Sequence, residues 1–167
     1  MTPSEIYNCY LTEISDIKDH LPTLRAAACG NVLEIGVRTG ISTSALLCGV
    51  EEHGGHVYSV DVDNCLIFAE HPQWTFLHKN SVVEKESILA AIPKELDLLF
   101  IDGDHSYEGC LSDLMTYSPL AKTVAIHDTE APLWPGVRSA VREYISTNRF
   151  WNWEFIKESY GLAILTR

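Results

Sequence analysis

The side chains best suited to chemistry in this 167-residue chain fall in two short runs, Asp102-Gly103-Asp104-His105 and His127-Asp128. Carboxylates and imidazoles bind cations and move protons near neutral pH. Each run closes an apolar stretch, Leu96 to Asp102 and Thr123 to His127, so strand ends would carry all five groups. A second set comes earlier. Glu34-Ile35-Gly36-Val37-Arg38-Thr39-Gly40 leads from an apolar stretch into a glycine-bearing loop, with Ser42, Thr43 and Ser44 opening a helical pattern. Such a loop lets a ligand approach the backbone. It is not the dinucleotide fingerprint, because Arg38 stands where the second glycine must admit a pyrophosphate. Glu34 suits a cationic ligand and would repel a diphosphate. Asp61, at the end of the next apolar run, is placed to accept both hydroxyls of a ribose. These residues together describe a pocket for a nucleoside carrying positive charge.

Bringing the two sets to one edge requires alternating strands and helices. The runs Asn31 to Val37, His56 to Val62, Trp74 to Lys79, Leu96 to Asp102 and Thr123 to His127 read as strands. Between them Ile41 to Glu52, Asn64 to His71, Val83 to Ile92 and Tyr107 to Tyr117 read as helices. The strands are apolar almost throughout, as central parallel strands covered on both faces must be. Right-handed crossovers then give a doubly wound α/β sheet whose carboxyl ends form the ligand crevice. An amphipathic helix is predicted from an N-cap at Ser4 through Ile6, Tyr10, Ile14, Ile17, Leu21 and Leu24, with Pro22 ending or bending it. Gly136 to Thr147 reads as a further helix. Trp153 to Glu158 and Leu162 to Thr166 read as a terminal antiparallel hairpin, which makes seven strands, mostly parallel and Rossmann-like. One domain is expected, with residues 1–29 as a helical cap and 30–167 as the core.

Composition narrows the classes. Hydrophobic residues make up 46%, enough for a core without staples, and 12 Lys and Arg against 23 Asp and Glu give a net charge of −11. That charge disfavours nucleic acid and anionic membranes as partners. Cys9, Cys29, Cys48, Cys65 and Cys110 are odd in number and contain no CxxC, which argues against a disulfide framework or zinc-thiolate site and for a reducing cytoplasm. Cys48 and Cys110 fall within helical patterns as small buried residues. No signal peptide or membrane span is expected.

The ordered set of motifs resembles a known family. Glu34-x-Gly36-x-x-x-Gly40, Asp61, the run Phe100-Ile101-Asp102-Gly103-Asp104-His105-Ser106-Tyr107-Glu108-Gly109 and then Ile126-His127-Asp128-Thr129 look like class I S-adenosylmethionine-dependent methyltransferases. The likeness covers about residues 30 to 145 and is similar to the subgroup of macrolide-sugar O-methyltransferases and cephalosporin-hydroxylase-like proteins. It implies the class I methyltransferase fold and S-adenosylmethionine as cofactor. Glu34 would then lie near the methionine amino group, Gly36, Gly40 and Ser42 along the loop, Asp61 on the ribose, and Asn80 or Ser81 at the adenine, with Asp102 also lining the cofactor site. The resemblance also implies a divalent metal, magnesium or manganese, at Asp102 and Asp128. His127 departs from the family's acid, so the ligands are either Asp102, Asp128 and waters, or a set including His127 that favours a softer ion. His105 matches the family's general base, and an unperturbed pKa of about 6.5 suits that work.

The implied reaction is O-methylation of a small hydroxylated acceptor such as a sugar or glycoside. An S-adenosylmethionine-binding module, or a subunit without transfer activity of its own, is the alternative. A nicotinamide oxidoreductase is disfavoured by Arg38 and Glu34, and a nucleic-acid methyltransferase by the charge and the absence of its motifs. Acceptor recognition must come from the N-terminal helix, the Pro132 to Pro135 loop with Trp134, or a neighbouring subunit in a homo-oligomer. Trp134 is either a pocket wall or a loop anchor, Asp104 reads as a helix-start acid, and Trp151 and Trp153 read as core or edge packing.

Overall fold

The computed structural model describes residues 1–148 and 151–167. Its sheet is formed by β1 (Gly30–Ile35), β2 (Gly55–Asp61), β3 (Trp74–His78), β4 (Leu96–Ile101), β5 (Ala121–His127), β6 (Asn152–Ile156) and β7 (Leu162–Thr166). The order is β3-β2-β1-β4-β5-β7-β6. The first five strands are parallel, and β7 runs antiparallel to both β5 and β6. The expected seven-stranded, mostly parallel α/β sheet with a terminal antiparallel hairpin is therefore the observed one. The order in which strands are added reverses between β1 and β4, so the crevice opens where Gly36 and Asp102 come after those two strands.

Period-two alternation sorts the strands' side chains into two cores. Leu33, Ile35, Leu99, Ile101, Val124 and Ile126 pack toward α4 (Lys85–Ala91), α5 (Tyr107–Tyr117) and α6 (Pro135–Thr147). Val32, Leu98 and Phe100 pack toward α1 (Pro3–Tyr10), α2 (Leu21–Ala27) and α3 (Ile41–His53). Cys48 and Cys110 are buried among them, as expected. Trp151 is buried, whereas Trp153 is exposed on β6.

Two local expectations differ from the structure. The N-terminal helix is not continuous: Thr2, rather than Ser4, caps α1 in a reciprocal capping box with Glu5, and α1 stops at Tyr10. After a looser segment and a 3₁₀ turn at Lys18–His20, α2 begins at Leu21 with Pro22 in its first turn. A proline there lacks only an N–H that has no helical partner anyway, so Pro22 starts a helix instead of ending one. The segment Asn64 to His71 is a series of turns rather than a helix. Only Cys65 and Phe68 find burial there, while Leu66 and Ile67 face outward, so no continuous apolar stripe is available to dock a helix.

Asp113 on α5 is completely buried, and neither carboxyl oxygen has a hydrogen-bond partner. Burial, aided by nearby Asp104 and opposed by Ser81, pushes its carboxyl up to about 7. A carboxyl raised in the folded state stays protonated where the unfolded chain ionises, so its stabilising effect is lost as pH rises from the ordinary carboxylate range toward 7. Asp113→Asn should flatten that decline by up to about 3 kcal/mol between pH 5 and pH 8. Unfolding midpoints measured from pH 5 to pH 8 check this; parallel curves for both proteins would refute it.

Candidate active site

β1 delivers the loop that floors the crevice. Gly36 has φ +94, and a Cβ there would lie 2.2 Å from the Asp102 carbonyl oxygen. Asp61, at the end of β2, braces the loop: Oδ2 accepts from the Val37 and Arg38 amides at 2.7 and 2.9 Å. Oδ1 accepts from the Asp63 amide at 2.9 Å. Although burial works the other way, these amides hold the Asp61 carboxyl below the usual aspartate range. Asp61 lines the cavity as expected, but its first task is shaping the loop.

Glu34 is placed differently from expectation. Between Leu33 and Ile35, which face one core, it points to the other and is fully buried beneath α3. Its carboxyl accepts from Ser42, Thr43 and Ser59 hydroxyls at 2.7, 2.8 and 2.6 Å. Burial pushes it up to about 7, with the three hydroxyls opposing. It does not line the cavity next to the loop. Nor do Gly40 and Ser42, since Gly40 is the N-cap of α3 and the Ser42 hydroxyl is spent on Glu34.

That cavity measures about 410 Å³ and is lined by Gly36, Val60, Asp61, Asn80, Ser81, Asp102 and His105, among others. Asn80 and Ser81, expected at the adenine, both line this cavity. The Asn80 side-chain oxygen accepts from the Val82 and Val83 amides at 3.0 and 2.9 Å, which fixes the turn after β3.

At the β4 and β5 ends the expected acids and histidines converge. Among the described residues, Asp102, His105 and Asp128 each offer one donor atom within 4.8 Å of the others. His105 Nε2 lies 3.4 Å from Asp102 Oδ1 and 3.2 Å from Asp128 Oδ2. His127 Nδ1 lies 3.2 Å from Asp102 Oδ1 and 3.5 Å from Asp128 Oδ1. Asp128 adopts φ 61, a conformation a non-glycine residue holds only when its surroundings over-determine it. The hydrogen bond to Asp102 raises the His105 pKa above its usual value. Burial opposes protonation of His127, yet Asp102 and Asp128 push it up to about 9. Asp102 is held low by its two histidines in spite of burial, whereas burial leaves Asp128 raised. The chemical sense is plain: a buried and a half-buried carboxylate at one point demand positive charge, supplied by imidazolium or by a cation.

Asp104 Oδ1 accepts from the Ser106 amide at 2.8 Å, and Ser106 is the N-cap of α5, so Asp104 is a helix-start acid and His105 is free of capping work. Trp134 packs on the His105 ring with centroids 5.0 Å apart but lines none of the cavities, so it acts as a neighbour of His105. Sequence reasoning missed His20 and Ser159, which reach His127 from opposite ends of the chain. It also missed Asp16 and Ile17, which line the outer approach to Asp102 and Asp128. No local pattern marked them, because their proximity is entirely tertiary.

Comparisons with known proteins bear on the family and the fold. A family described as a methyltransferase domain matches residues 33–129. No curated protein sequence matches the chain. Among solved structures, the TDP-rhamnose 3'-O-methyltransferase CalS11 is 18% identical, with TM-score 0.68 over 89% of this chain and 76% of that one. The O-methyltransferase from Bacillus cereus in complex with SAH is 15% identical, with TM-score 0.73 over 99% and 90%. MycE, seen with magnesium, SAH and mycinamycin VI, is 14% identical with TM-score 0.73, and this chain spans 53% of its length. Since the family match covers more than half of the chain and includes the Gly36 loop, Asp61 and both acidic strand ends, the chain belongs to the methyltransferase-domain family, as a class I S-adenosylmethionine-dependent methyltransferase.

Proposed function

We propose that the protein methylates a hydroxyl of a small acceptor, such as a sugar or glycoside, with assistance from a divalent cation. The observation that carries this reading is the meeting of Asp102, His105 and Asp128 donor atoms, with His127 behind them, where Asp102 and His105 line the cavity beside the Gly36 loop. The residues fit a cation: carboxylate oxygens and an imidazole nitrogen face one point, a donor set that suits magnesium or manganese. Asp102 and Asp128 would hold it, with His127 Nδ1 facing both. A bound cation lowers the pKa of an alcohol and fixes its oxygen. S-adenosylmethionine would be held along Gly36, Asp61, Asn80 and Ser81 and would supply a methyl carbon already electrophilic on its sulfonium, leaving as S-adenosylhomocysteine, so alignment is most of the catalytic task.

His105 takes the hydroxyl proton at Nε2. Its side chain is 27% exposed, against 1% for His127, lines the cavity, and packs its ring against Trp134. The acceptor approaches through a cavity of about 70 Å³ bounded by Asp16, Ile17 and Arg38 as well as Asp102, His105 and Asp128. Asp16 and Arg38 also line an outer cavity of about 460 Å³ with Tyr10, Ile14 and Tyr160. A hydroxyl-bearing arm inside and a larger ring body outside suit these sizes. CalS11, which acts on TDP-rhamnose, and MycE, seen with a magnesium ion and mycinamycin VI, support the choice of acceptor and cation.

Calorimetric titration with S-adenosylhomocysteine, with and without manganese, tests the reading before any acceptor is known. Micromolar cofactor binding is expected, together with a separate manganese heat that vanishes in Asp128→Asn. Binding of neither would overturn the reading. Label from S-adenosylmethionine appearing in nucleic acid but in no hydroxylated small molecule would overturn the acceptor class.

A further inference from the structure

The side of His127 turned away from the two carboxylates is held by an arrangement that the reaction does not itself require. His127 Nε2 donates to the Ser159 carbonyl oxygen at 3.1 Å. The same oxygen receives His20 Nε2 at 3.2 Å, and that nitrogen also reaches the Glu158 carbonyl at 2.9 Å. The His20 and His127 rings meet edge-on, 5.5 Å apart. His20 is buried, so its hydrogen bonds have no competition from water. Beside it, the Asp19 carboxylate accepts from the Ser159 hydroxyl.

The turn receiving these bonds is tightly specified. Ser159 and Tyr160 have φ 44 and 63, the left-handed region that side chains other than glycine avoid. Next to them, a Cβ on Gly161 would come within 2.7 Å of Thr129 Oγ1 and the Glu130 amide nitrogen. The Glu130 amide in turn donates to the Tyr160 carbonyl at 2.7 Å. The turn is therefore clasped on one side by residues 127–130 and on the other by Asp19 and His20.

We propose that His20, through the Ser159 carbonyl and with Asp19, is a positioning residue for the cation centre: it fixes the turn that aims His127 Nδ1 at Asp102 and Asp128. An imidazole has two nitrogens, and the partner of one decides what the other presents. With Nε2–H committed to a carbonyl, Nδ1 faces the acids. A carbonyl oxygen has two lone pairs, and here both are taken by histidines, so removing His20 frees the strained turn to relax and carry the Nε2 anchor with it. The inference rests on the reading of Asp102 and Asp128 as cation ligands.

Manganese affinity, read from the electron paramagnetic resonance of the free ion, tests it directly. Groups that orient metal ligands from the outside are worth roughly 10-fold or more in affinity, so with His127 holding the Asp102 carboxylate, His20→Ala and His20→Phe are each expected to weaken manganese binding by about 10-fold. His20→Gln keeps a donor at similar reach and should stay within about 3-fold of the unaltered protein. Asp19→Ala, at an exposed position, should cost about 3-fold and covers the case in which a His20 variant fails to fold. S-adenosylhomocysteine affinity should be unchanged throughout. Full manganese affinity in His20→Phe would mean that the ring only fills space and would overturn the inference, as would unchanged affinity in both His20→Ala and Asp19→Ala. Unaltered protein that binds S-adenosylhomocysteine but no manganese would instead overturn the cation reading, and this inference with it.

Discussion

His105→Ala should lower methyl transfer by roughly 10²–10⁴-fold, the usual worth of a positioned proton acceptor. Manganese and S-adenosylhomocysteine affinities should stay within a few-fold of the unaltered protein. The split comes from where the ring sits: His105 is the more exposed of the two histidines, and its other neighbour is Trp134. Its Nε2 nevertheless lies close enough to both carboxylates to be counted among cation donors. The affinity measurement separates the two roles, since a lost ligand weakens the ion and a lost base does not. The acid limb of the pH–rate profile should also disappear in the variant. Because Asp102 raises the His105 pKa, that limb in the unaltered protein should lie above the range of a free histidine. Transfer within about 3-fold of normal, or manganese affinity lost along with transfer, would rule out His105 as the base.

Gly36→Ala is expected to be nearly as damaging by a different route. The alanine Cβ would lie 2.2 Å from the Asp102 carbonyl oxygen and 2.5 Å from its carbon, both backbone atoms that no rotamer change can move. Backbone strain at φ +94 and the forced separation of β1 from β4 together should cost about 2–5 kcal/mol. Asp102 would shift with the loop, and a displacement of an ångström at a reacting centre is worth about 10²-fold in rate. Gly54→Ala is the matched control, because φ there is +81 but no atom lies within 4 Å of the new Cβ. Unfolding midpoints and S-adenosylhomocysteine titrations of the two variants should differ sharply. Equal behaviour would show that left-handed strain alone, and not the close approach to Asp102, matters at Gly36.

The alternation of β1 to β5 with their helices was legible because buried parallel strands write themselves as unbroken apolar runs. The acidic strand ends were legible for the same reason, since each one closes such a run. Asp61 shows the limit. A carboxylate at a strand end reads as a ribose ligand, but only the folded loop reveals that the Val37 and Arg38 amides reach it first. Glu34 could have been placed better from sequence, as its parity opposite Leu33 and Ile35 turns it toward the Ser42 and Thr43 hydroxyls of α3. Nothing local announces His20 or Ser159, whose importance comes from contacts made across most of the chain. The Ser4 to Leu24 periodicity misled because α1 and α2 dock against α3 independently, and helical spacing on both sides of a break looks like one helix.

The clasp between Asp19 and Ser159 joins residues 140 positions apart, and that between His20 and Glu158 joins residues 138 apart. Asp61 and the Gly36 loop, by contrast, are joined across 24 positions. Closing the longer span carries the greater entropic cost and is the slower event. On loop-closure cost alone, the nucleoside side of the crevice is expected to take shape before His127 is fixed between Asp102 and Asp128. Loosening of residues 158–161 would then cost the cation centre its anchor while leaving the Asp61 brace on the Gly36 loop intact.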